Sequence, residues 1–189
     1  MLKGNLMKFV LKETVFTYPN ALLEEWKEGE KGWIPDSLFV PKDVYNQPNY
    51  HFGEYYALKK YLELGWQGTA FYALGDWELN NDKYTQGRAL VAKYIDPIRL
   101  AMFKSLRQGL TSGEPDLFLY KDDGSVLFVE VKKQADRISK SQLICMEQIK
   151  SVLACDVAVA YLAEERQVYE PKSYELNVVS IPQAWVERN

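Results

Sequence analysis

The sequence reads as an α/β protein, α+β in the sense that its sheet is mixed, with helices flanking the strands. Three observations predict it. Stretches of helical period alternate with stretches of period two, in the order helix, strand, helix, strand, strand, helix, strand, strand. Two of the alternating stretches, 116–120 and 126–132, are joined by the turn sequence KDDGS. The helical stretches carry their own start and stop signals, such as Pro97 at one opening and Gly65 at one close. At 189 residues one domain is expected, since roughly 150 residues per domain is usual.

Residues 1–50 mix Trp, Tyr and Pro with weak periodicity, as in TYPN, GWIPDS and VPKDVYNQPNY, and predict an irregular, aromatic-rich arm packed on the core. Residues 51–189 are expected to form the domain proper. Glu54–Leu64 sets Tyr55, Leu58, Tyr61 and Leu62 on a helical stripe. WQGTAFYALGDWEL reads as a short strand. A helix over Asp96–Leu110 is predicted to bury Ile98, Met102, Phe103 and Leu106 on one face. Ser139 and Gln142 have the spacing of a capping box opening the next helix, with Leu143, Met146, Ile149 and Leu153 facing inward. Strands over Val157–Leu162 and Glu175–Ser180 complete the order.

Composition narrows the chemistry. One histidine, His51, and two cysteines, Cys145 and Cys155, are too few for a zinc cluster or a disulfide framework. GxSxG, GxxxxGK[ST] and GxGxxG are missing, so a serine hydrolase elbow and a nucleotide cofactor are not expected. Without an apolar run of roughly 18 residues or a signal-peptide pattern, the expectation is a soluble, intracellular, cytoplasmic protein without a membrane partner. The net charge of −3 hides an uneven distribution. Lys83–Gln108 holds six bases and one acid, and Val131–Lys150 five bases and two acids, whereas the ends are acidic. The middle of the chain would present a positive surface to a nucleic acid, or else its charges are spread over solvated helix faces.

The hairpin is where acids meet. With Asp122, Asp123 and Gly124 as a three-residue turn, Lys121 pairs with Ser125 and Asp116 falls opposite Glu130, their β-carbons roughly 4.5 to 5.5 Å apart. Like charges so placed repel. A hard divalent cation such as Mg²⁺ would offset this, because it takes oxygen ligands from one or two carboxylates. Lys132, on the same face, is then placed to hold or activate an attacking water. The other reading of the same residues is a strand-start aspartate beside a Glu130–Lys132 edge ion pair.

GEPDLFLY (113–120), VEVKK (129–133) and the spacing of Asp136, Ser139 and Gln142 as D-x-x-S-x-x-Q together resemble the PD-(D/E)XK nuclease superfamily, and within it VRR-NUC-type domains. The resemblance implies a restriction-endonuclease-like core and a metal-dependent nuclease that hydrolyses DNA phosphodiester bonds, an endonuclease rather than an exonuclease. It also implies that Asp116, Glu130 and the Val131 backbone carbonyl hold Mg²⁺ or Mn²⁺, that Glu54 completes the metal shell, and that Lys132 positions water. Gln142 would orient a site residue, a water or a phosphate, and Lys133, Arg137 and Lys140 would meet the backbone of duplex or branched DNA. Glu54 is equally readable as a first-turn acid and Gln142 as a cap. Paired cuts would favour a homodimer. The competing class is a noncatalytic nucleic-acid-binding or assembly subunit that keeps the fold.

Overall fold

The computed structural model describes residues 5–47, 50–76, 81–108 and 112–180. Its centre is a six-stranded mixed sheet in the order β2-β3-β4-β5-β1-β6, formed by β1 (Asn5–Tyr18), β2 (Gln67–Thr69), β3 (Leu117–Tyr120), β4 (Val126–Lys133), β5 (Asp156–Glu164) and β6 (Ser173–Ser180). β4, β5 and β1 run parallel, and the remaining neighbours are antiparallel. The helices are α1 (Asn20–Lys27), α2 (Lys42–Tyr45), α3 (Phe52–Glu63), α4 (Thr85–Tyr94), α5 (Pro97–Leu106) and α6 (Lys140–Gln148), the last continuing as a π-helical turn over Ile149–Leu153. Among the described residues no helix is long and apolar enough to cross a membrane.

Strand alternation divides the core. Leu117, Leu119, Leu127, Val129, Ala160 and Leu162 face α3 and the aromatic segments around Tyr18 and Trp26. Phe118 and Phe128, on the opposite face, pack with Phe103, Cys145, Ile149 and Leu153 from α5, α6 and the π turn. Both cysteines are buried and free. The sheet is thus covered on both sides, the arrangement parallel strands require.

The hairpin follows the expected register. Lys121 N–H donates to the Ser125 carbonyl at 3.0 Å, and Gly124 takes φ of 86°, the left-handed position such a turn needs. Tyr120 pairs with Val126 and Leu117 with Val129, so Asp116, one residue ahead of β3, continues the series opposite Glu130.

Two expectations need correction. Residues 5–18 are a fourteen-residue strand between β5 and β6 rather than part of an irregular arm. Phe9, Leu11 and Glu13 are buried on one face, after which the buried positions shift to Tyr18 on the other, so the chain carries no unbroken period of two. On α5 only Phe103 is buried, while Ile98, Met102 and Leu106 are 71%, 53% and 56% exposed. The helix docks on the π turn through the neighbouring flank, which carries Phe103 and Leu100, and Arg99 bonds the Val152 carbonyl at 3.0 Å.

Candidate active site

Asp116 is held by a loop with little freedom. At Gly113, φ is +97° and a β-carbon would lie 2.9 Å from the Ser141 carbonyl oxygen, so only glycine lets the loop pass the first turn of α6. The Tyr72 hydroxyl donates to the Pro115 carbonyl at 2.5 Å, and Leu74 N–H donates to Glu114 Oε2 at 3.0 Å. Asp116 Oδ2 then accepts from Val131 N–H at 2.7 Å, extending by a side chain the ladder that β3 no longer supplies. In an extended strand the N–H and C=O of one residue point to the same side, so the Val131 carbonyl faces this same gap beyond the end of β3.

Glu130 lies in the middle of β4 and is 1% exposed. Its Oε1 accepts from Lys132 Nζ at 2.7 Å and from Gln142 Nε2 at 2.5 Å. Its Oε2 is buried without a hydrogen-bond partner among the described residues. Burial, and then the charge of Asp116, push the Glu130 carboxyl up to about 8 against the pull of Lys132. Burial, and then the charge of Glu54, push Asp116 up to about 6 despite the bond from Val131.

Gln142 does two things at once. Ser139 N–H donates to Gln142 Oε1 at 2.9 Å while Ser139 Oγ accepts from Gln142 N–H at 3.2 Å, a complete capping box. With its oxygen committed to the cap, the carboxamide can only present its NH₂ to Glu130. The cap therefore sets the orientation of the site carboxylate.

Glu54 enters from the opposite face of the sheet. The first turn of α3 lies over Val131, whose Cγ1 would stand 3.4 Å from a β-carbon at Gly53. Glu54 Oε1 is 3.2 Å from His51 Nδ1, and His51 Nε2 is 3.2 Å from Gln47 Oε1. Burial raises the Glu54 carboxyl, but the His51 hydrogen bond and the charges of His51 and Lys133 outweigh it, and its net shift is downward. His51, in the left-handed region at φ of 66°, was assigned no site role from sequence. Its one signal was the three-residue spacing to Glu54 across a helix start.

A divalent cation fits part of this arrangement. Two opposed carboxylates, one with an orphaned buried oxygen, and a backbone carbonyl facing the same gap are the hard oxygen donors such an ion takes. Glu54 is not drawn in: among the described residues, no group of three His, Cys, Asp or Glu side chains is close enough to hold an ion. Lys133, Arg137 and Lys140 line the turn from β4 into α6, and no ion pair involves them among the described residues. Asp136 is a turn residue, its N–H donating to the Lys133 carbonyl at 3.0 Å. The Tyr161 hydroxyl, donating to the Gln134 carbonyl at 2.7 Å, anchors that turn.

Among curated proteins none matches this chain. Two solved structures resemble it distantly: crystal structures of paFAN1 bound to 2-nt and to 1-nt 5′ flap DNA with gap. Each is 16% identical and covers 86% of this chain and 33% of its own, with TM-scores of 0.39 and 0.37. This chain thus spans about a third of the length of those it resembles. The VRR-NUC domain family matches residues 71–164, a stretch that contains Tyr72, Asp116, Glu130, Lys132 and Gln142. That match to the VRR-NUC domain family covers the same stretch, GEPDLFLY through Gln142, that carries the resemblance read from the sequence.

Proposed function

We propose that the protein is a divalent-metal-dependent deoxyribonuclease that cuts internal phosphodiester bonds. The observation that carries this reading is the unfinished hydrogen bonding of Glu130: a buried carboxylate facing Asp116, with one oxygen engaged by Lys132 and Gln142 and the other unmet. Asp116, Glu130 and the Val131 carbonyl would hold Mg²⁺ or Mn²⁺. Bound there, the ion would lower the pKa of a water and neutralise charge on the phosphate.

The chain's own groups divide the remaining work. Lys132, 9% exposed, places an ammonium beside the carboxylates, where it can orient a nucleophilic water and stabilise developing negative charge. Gln142 keeps Glu130 Oε1 fixed, so that Oε2 faces the gap. Glu54, held by His51, adds negative charge at the site's edge and can accept from an outer water. Lys133, Arg137 and Lys140, at the carboxyl ends of the parallel strands where open sheets bind ligands, would engage the phosphate backbone of duplex or branched DNA. Residues 51–189 form the nuclease unit in this proposal, and residues 1–50 contribute β1 to its sheet. Cutting both strands of a duplex at paired positions would use two copies of the chain.

The Lys132–Glu130 ion pair favours a second reading, in which the pair is only structural and the protein binds DNA without cutting it. Incubation with supercoiled, linear and branched DNA plus Mg²⁺ or Mn²⁺ decides between them. Cleavage that Asp116→Ala and Lys132→Ala both lose supports the nuclease; metal-independent binding without cleavage supports the alternative.

A further inference from the structure

Six polar or charged residues are buried among the described ones: Glu13, Lys31, Thr69, Arg107, Glu130 and Lys132. Lys132 meets Glu130 at 2.7 Å. Arg107 meets Gln148 Oε1 at 3.2 Å and the Ser112 carbonyl at 2.5 Å. Glu13 accepts from two tyrosine hydroxyls and a backbone N–H. Lys31 is the exception. It is 6% exposed, and its ammonium makes one long bond, 3.4 Å to the Trp26 carbonyl. Its other neighbours are aromatic faces, Trp26 at 4.3 Å and Tyr45 at 5.9 Å from the ring centroids. Among the described residues no carboxylate stands within ion-pair distance, and burial lowers its pKa with no acid opposing the shift. Cation–π contact offsets part of the desolvation, but two of three donors are left without an acceptor.

Lys31 lines a cavity of about 470 Å³, a volume usual for small-molecule sites. Its accessible lining is more polar than apolar, with Ile34 and Leu38 buried behind it; Tyr45 is a half-exposed ring, and Asp36 is an exposed carboxylate in the lining. A single inward cation suits a single anionic group. The Tyr45 ring suits a flat body, and Asp36 opposes a second anionic group elsewhere on the ligand while accepting from a hydroxyl or amino group. We propose that this cavity binds a small organic anion, a phosphate monoester or carboxylate on a neutral, flat body, with Lys31 as its counter-ion.

The proposal stands apart from the Asp116–Glu130 site, and its test needs no cleavage. The full chain is titrated with thymidine 5′-monophosphate, with benzoate and with neutral thymidine, following heat and the fluorescence of the tryptophans, Trp26 lying under Lys31. Saturable binding of either anion with little response to thymidine is expected. Nucleotide binding points to a nucleic-acid end or free nucleotide as the source, and benzoate binding to a carboxylate. Lys31→Met should weaken binding at least about tenfold. Should that variant misfold, Asp36→Asn decides, because the residue is exposed and its neutralisation should tighten anion binding several-fold. Failure of both anions to bind, equal binding of thymidine, or an Asp36→Asn variant that binds no tighter overturns the proposal.

Discussion

Glu130 and Glu13 stand in one row of the sheet, both paired with Val159 between them, and both are buried on the same face. Their surroundings differ. Glu13 Oε1 accepts from Tyr174 at 2.5 Å, and its Oε2 from Tyr169 at 2.7 Å and from Lys172 N–H at 2.8 Å, so every oxygen is met and the segment leading into β6 is tied to β1. Glu130 has one oxygen met twice and one not at all, with a second carboxylate pressed against it. A buried acid that serves the fold is saturated by neutral donors. The incomplete hydrogen bonding of Glu130 is the feature on which its proposed role in catalysis rests, and that contrast in saturation distinguishes the two acids where burial does not.

The largest break in the comparison is expected in catalysis. Lys132→Met should lower DNA cleavage by roughly 10² to 10⁴-fold, whereas Glu13→Gln should leave most of the rate in protein that remains folded; single-turnover assays on a fixed DNA substrate measure both. Gln142→Leu removes one donor to Glu130 and half of the cap. It should weaken divalent-ion affinity by roughly 10- to 100-fold, with about 1 kcal/mol of stability lost through the cap. Ser139→Ala should show the stability loss with a smaller effect on affinity.

Stability against pH sharpens the contrast. The Glu130 carboxyl moves from 4.5 in an open chain up to about 8 in the fold, so the folded state holds its proton more tightly. Its contribution is then fully present below pH 4.5 and is lost as pH rises to about 8; Asp116, raised from 3.8 to about 6, adds in the same direction. Metal-free protein should lose roughly 2 to 4 kcal/mol across that window in urea melts. Glu130→Gln should flatten most of the slope, and saturating Mn²⁺ should restore stability at pH 8. Tyr169→Phe should cost about 1 to 2 kcal/mol at pH 7 in the same melts. Smallest of all, Arg137→Ala or Lys140→Ala should reduce DNA affinity a few-fold and lower the salt dependence by about one phosphate contact.

How much of this was legible in the sequence depended on how local the determinant was. The hairpin register could be counted out from Gly124, because one turn type fixes the parity of every residue on both strands. The capping box at Ser139 and Gln142 was equally local. What the spacing could not give is that the cap also aims an amide at Glu130, since that needs α6 to lie against β4. β1 was hidden because Glu13 occupies an inward position and burial then changes face, both consequences of contacts with residues some 160 positions away. α4 was missed because Thr85–Tyr94 offers only Leu90, Val91 and Tyr94 as large apolar residues and buries little more than Val91. On α5 the stripe at Ile98, Met102 and Leu106 is real, but periodicity identifies a face without saying that the face is covered. Glu54 lies on the helix that the periodicity predicts, whereas its contact with His51, which takes the left-handed conformation, is not part of that periodicity.

The most direct test of the central claim is calorimetric titration of Mn²⁺ into the parent and into Glu130→Gln at pH 7, repeated in buffers of different ionisation heat. The account predicts that the parent binds the ion and releases a proton as Glu130 gives up the one its raised pKa retains, and that the variant does neither. Ion uptake by the variant equal to that of the parent, or no uptake by either, would contradict it.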